Sequence, residues 1–148
     1  MPVTNATAAK RALLDALAVL PVLAGVQIAY GYPARDVERE LIYGGAGRYS
    51  RTLDGMGGGM GGLAYTETVT VDLHIQVRVP GGTVEQAEAR TVELGAAVEE
   101  YLATHGRLDD LPGLLYAAVT GGELGYALDD DGVTSALQLQ VEFTSYPT

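Results

Sequence analysis

Asp72, His74 and Gln76 are alternate residues of the run TETVTVDLHIQVRVP, so on an extended chain they share one face. There a carboxylate can orient an imidazole for general base catalysis, or the pair can begin a metal site. Glu67, earlier in the same run, is a further acid for such a centre. No third ligand and no nucleophile motif stands nearby in sequence, and a histidine on a long polar strand face is ordinarily solvated or at an interface. Gly57, Gly59 and Gly62 satisfy G-x-G-x-x-G, but that fingerprint works only between a buried strand and a helix N-terminus. Here Arg51–Asp54 precede it without strand patterning, a strand follows, and there is no phosphate-binding lysine motif. Asp129, Asp130 and Asp131 resemble part of a calcium loop, yet Ala127 occupies the first ligand position and no glutamate closes it. His105 is explained by the C-terminal end of a helix dipole. With no G-x-S-x-G, no H-E-x-x-H and no cysteine, the sequence offers no catalytic residues, cofactor or metal ligands.

The elements that would carry these residues are well marked. Thr4 or Asn5 can cap a helix with Ala9, Leu13, Leu17 and Leu20 on one face, which Pro21 stops. Val26, Ile28 and Tyr30 alternate as a short strand, and Glu40–Tyr43 reads as a second, the two forming a hairpin. Val69, Val71, Leu73, Ile75, Val77 and Val79 alternate with Thr68, Thr70, Asp72, His74, Gln76 and Arg78, which predicts a strand with one face on a core. Thr83 and Gln86 form a capping box for a helix to about Thr104, with Ala87, Thr91, Leu94, Val98, Tyr101 and Leu102 buried. A strand over Leu114–Val119 follows. Asp129–Gly132 make a turn into a last strand, where Leu137, Leu139, Val141 and Phe143 alternate with polar residues such as Gln138 and Gln140. The expected fold is a single α+β domain over 1–148. Its antiparallel or mixed sheet has about four to six strands with two helices on one face, in the order α-β-β-loop-β-α-β-β.

Residues 44–64, with six glycines and two methionines between Leu53 and Tyr65, read as a pliant arm. It would order on a neighbouring subunit or on another partner in an assembly, through Met56, Met60, Leu63 and Tyr65. The outer strand faces, with Thr68, Thr70, Asp72, His74, Gln76, Gln138 and Gln140, carry Thr and Gln in place of Lys and Glu, which suits packing against copies of the same chain.

Composition narrows the function classes. The 148 residues carry nine basic and nineteen acidic side chains, a net charge of −10, which lacks the basic footprint of a nucleic-acid binder. The start, KRALLDALAVLPVLAG, has the outline of a signal peptide, but Asp15 interrupts the run and the leucines recur at helical spacing. No apolar stretch reaches the roughly 18 residues of a membrane span.

In order, an N-terminal helix, GVQIAYGYP, ERELIYGG, TVDLHIQVRVPGG, the acidic EQAEARTVELGAAVEEYL and ALQLQVEFTSY resemble the tail terminator (tail completion) proteins of long-tailed bacteriophages of actinobacterial hosts. The resemblance covers nearly the whole chain and departs from the family pattern in the long glycine segment. It implies a non-enzymatic virion protein of the tail-neck region, assembled in the host bacterial cytoplasm. Such a protein forms a homo-oligomeric ring, usually a hexamer, that ends polymerisation of the major tail tube protein and presents a surface to the head-to-tail connector. Its channel passes DNA without gripping it, and an acidic lining would repel the phosphates. Two other classes remain at this stage: a connector or stopper of the neck, and a small-molecule-binding or enzymatic domain centred on His74, Asp72 and Glu67.

Overall fold

The computed structural model describes residues 4–57, 62–108 and 113–146, with side chains for all of these except 54–57 and 62–64. The first helix, α1, spans Ala6–Ala18 and buries Ala9, Leu13, Leu14 and Leu17. Its spacing of apolar residues at three and four positions makes that stripe. Asn5 stands at the N-cap, and the freed N–H groups there find remote and local acceptors: Asn5 N–H donates to Glu67 Oε1 at 2.8 Å, and Ala6 N–H to Thr4 Oγ1 at 3.2 Å. Pro21 then opens a single 3₁₀ turn, Pro21–Leu23.

Five strands follow: β1 (Gln27–Ala29), β2 (Glu40–Gly57), β3 (Gly62–Pro80), β4 (Leu114–Asp129) and β5 (Gly132–Ser145), with α2 (Val84–Thr104) between β3 and β4. They form one mixed sheet in the order β1-β2-β3-β5-β4. On β3, Val69, Val71, Leu73, Ile75 and Val77 are buried among α1 and α2 residues, and their β5 partners Phe143, Val141 and Leu139 join the same core. The period of two along both strands therefore lays a continuous apolar surface under the helices. Among the described residues, the alternate face of the sheet carries no helix. This is the expected α+β architecture, with α1 over β1, β2 and β3 and α2 over β3, β5 and β4.

Three local expectations are corrected. The first two strands are no hairpin: β1 pairs parallel with β2, Gln27 opposite Leu41 and Ala29 opposite Tyr43. The segment between them is too long for a tight turn and loops back, with Glu38 N–H donating to Gln27 Oε1 at 2.8 Å. Residues 44–57 are no loop but continue β2, paired antiparallel with β3 from Gly44 opposite Leu73 to Gly57 opposite Gly62. The regular backbone of β3 supplies the ladder that the side chains do not announce, and bulges at Gly44/Gly47 and Leu53/Gly55 absorb the irregularity. The strand expected to end at Val119 runs on to Asp129 for the same reason, templated by β5.

The capping box is as expected: Gln86 N–H donates to Thr83 Oγ1 at 3.2 Å and Thr83 N–H to Gln86 Oε1 at 3.0 Å. So is the acidic turn, where the N–H groups of Asp131 and Gly132 both donate to Asp129 Oδ1 at 2.8 and 3.0 Å. Gly132 has φ +147° and passes so close to the β3 end that a Cβ would strike Val79 O and Gly81 N. Only glycine fits there.

Candidate assembly surface

The bare sheet face gathers most of the singled-out polar residues. Across β3 and β5, Asp72 pairs with Gln140, His74 with Gln138, Thr68 with Thr144, Thr70 with Glu142 and Gln76 with Ala136. Beside them His74, Glu123, Thr134 and Gln138 line a shallow hollow of about 410 Å³.

The side chains here hold one another. The Arg48 guanidinium of β2 donates to both Asp72 oxygens at 3.2 and 3.4 Å, which leaves Asp72 only 7 % exposed. The pairing raises the Arg48 pKa, through the hydrogen bond first and the charge of Asp72 second. His74 lies flat against Tyr43, centroids 4.8 Å apart and rings 14° from parallel, and Tyr32 meets Tyr43 edge-on at 5.1 Å. Burial, with a smaller contribution from Tyr32, pushes the Tyr43 phenol pKa up. Gly45 opposes the imidazole so closely that a Cβ would overlap Nε2. Asp72 is thus taken by Arg48 and His74 by Tyr43, so the carboxylate is not arranged to orient the imidazole.

Glu67 does not join them. It stands an odd number of residues from both, and the strand turns it to the helix-bearing face, where it is fully buried. One oxygen takes the Asn5 N–H and the other lies 3.6 Å from Arg51 Nε without a hydrogen bond. A three-residue centre of Glu67, Asp72 and His74 is therefore absent. Among the described residues, no group of three or more histidine, aspartate or glutamate side chains is placed to hold a metal ion. No helix among them is long and apolar enough to cross a membrane.

The glycine-segment residues fall differently. Tyr65 is half-buried with the Arg51 guanidinium 4.8 Å over its ring. Backbone pairing sets Met56 opposite Leu63. The side chains of both, and Met60 altogether, lie outside the described residues.

The sheet's two margins are not announced by the sequence pattern. Among the described residues β4 pairs with β5 alone, and β2 beyond Tyr43 pairs with β3 alone, so both present backbone donors and acceptors outward. On the helix-bearing side these margins carry exposed apolar rows, Tyr49 and Leu53 on β2 and Leu124, Tyr126 and Leu128 on β4. The signal that could have found the second row is the alternation in ELGYALD, masked by glycines at 121, 122 and 125. At the inner end of β2, Lys10 Nζ donates to Gly45 O at 2.9 Å and sits 4.2 Å over the Tyr30 ring, and burial lowers its pKa. No protein-family model matches the chain, and no curated protein matches it.

Proposed function

We propose that the chain is a non-enzymatic structural subunit that closes into a homomeric ring on the end of a bacteriophage tail tube. The ring would stop addition of tube subunits and present a surface to the head-to-tail connector. The observation that carries this reading is the construction of the sheet: among the described residues, helices on one face, a polar face without a helix opposite, and two strand margins that pair with no further strand. Unpaired margins with exposed apolar rows are costly on a lone subunit and are relieved when copies meet. The ordered sequence motifs that resemble tail terminators supply the particular assembly and the number six. The acid excess suits a channel that DNA phosphates must cross without sticking.

Native mass spectrometry of the purified chain, alone and with tail tube subunits, tests the reading. It expects closed rings of identical copies that bind tube ends. Chains that remain single in both conditions would refute it. Particle images after loss of the gene separate the terminator from a connector: overlong tails belong to the first, unfilled heads with normal tails to the second.

A further inference from the structure

The charges of the chain are divided by the fold. Residues 4–57, which build α1, β1 and β2, hold six basic and five acidic side chains, a net +1. Residues 83–145, which build α2, β4 and β5, hold two basic and twelve acidic side chains, a net −10. The sheet order places these two groups on opposite flanks, with β3 between them. The acidic flank also has a groove of about 550 Å³ between α2 and β4, lined by Val92, Gly95, Leu124 and Leu137 together with Glu99. Beyond it Tyr126 and Leu128 stand 56 % and 68 % exposed. The opposite flank offers Tyr49 and Leu53, 46 % and 64 % exposed, beside Arg48 and Arg51.

We infer that the occupant of the α2/β4 groove is the outer margin of β2, around Tyr49 and Leu53, of a second copy, in a head-to-tail contact. This rests on the ring reading above and names the surfaces that make the ring. The cross-strand register puts Tyr49 and Leu53 on the helix-bearing side, as it does Leu124, Tyr126 and Leu128. When the outer margin of β2 adds to that of β4 with the helices on the same side, the two apolar rows become one, flanked by α2. On the helix-bearing side Arg51 then approaches Glu99, and on the other face Arg48 approaches Glu123; the nearly neutral flank against the acidic one favours the mixed contact over two acidic flanks meeting. Two different surfaces meeting in this way are heterologous, and repetition closes a ring when the rotation permits.

Complementation tests it. One variant carries Tyr49→Ser with Leu53→Asp, the other Leu124→Ser with Tyr126→Ser and Leu128→Asp; all five side chains are exposed, and circular dichroism checks that both variants fold. Native mass spectrometry and sedimentation velocity should find rings for the wild type and only monomers for each variant alone. An equimolar mixture should yield one-to-one dimers and nothing larger, because one intact contact remains. Raised salt should weaken the wild-type contact. A mixture that stays monomeric, a wild type that is monomeric, or a variant that still makes rings would overturn the inference. Rings that persist in both variants leave the ring reading standing while removing this contact from it.

Discussion

Glu67 ties the start of α1 to β3 through a buried carboxylate. It is fully buried, it closes the first turn of α1 through Asn5 N–H at 2.8 Å, and it faces Arg51 at 3.6 Å. Replacing it by alanine removes a hydrogen bond to a charged acceptor, worth about 1.5–3 kcal/mol, and buried methylene packing, worth about 0.8 kcal/mol. The Arg51 pair adds little, about 0.5 kcal/mol, because that guanidinium is 37 % exposed and makes no hydrogen bond to the carboxylate. Glu67→Ala should therefore cost about 3 kcal/mol, a fall of roughly 10 °C in Tm for a chain of this length. Glu67→Gln keeps an acceptor and the stem, and should cost about 1 kcal/mol. Burial of a carboxylate opposes these gains, so the competing outcome is that an apolar residue does better. Calorimetry of the wild type with the Ala, Gln and Leu variants decides, together with amide exchange in the first turn of α1. An Ala variant within about 2 °C of wild type, or a Leu variant at or above it, would refute the view that the helix N-terminus outweighs the desolvation of the carboxylate.

Thr83→Ala removes the capping-box hydroxyl of α2 and should cost about 1 kcal/mol, read as a lower Tm with faster exchange confined to the helix start. Gly45→Ala should displace the His74 ring from Tyr43, because the new methyl overlaps Nε2 and the flat stack leaves the ring little room; a change in the His74 ring proton shifts checks this, and unchanged shifts would contradict it. Tyr43 should be a late tyrosine in an alkaline absorbance titration, above its ordinary 10.0. Because the folded state then holds a proton that the unfolded chain has already released, stability should fall as pH rises from 10.0 toward the folded value, and Tyr43→Phe should lessen that fall.

The elements legible in sequence are those whose two faces differ. β3 and β5 alternate apolar and polar residues because one face lies under helices, and α2 announces itself through Thr83, Gln86 and a stripe of buried residues. The outer half of β2 could not be read this way. Arg48, Ser50 and Thr52 share one side and Tyr49, Arg51 and Leu53 the other, and neither side lies on the core, so the strand is fixed by pairing with β3 instead of by burial. The parallel β1 was hidden because three residues of strand carry no sign of direction. The separation of Glu67 from Asp72 and His74 was present in the odd and even positions along one strand. The charge division was equally present in the composition, but it became two flanks only once the sheet order set β2 and β4 at opposite sides.

The central claim, a symmetric collar that ends tube growth without making or breaking a bond, is tested most directly by tube length. Purified tail tube subunits polymerised with and without the chain, and imaged by negative stain, should give short tubes bearing a ring at the end in the first case and long open tubes in the second. Tubes of equal length distribution, with no ring on their ends, would contradict it.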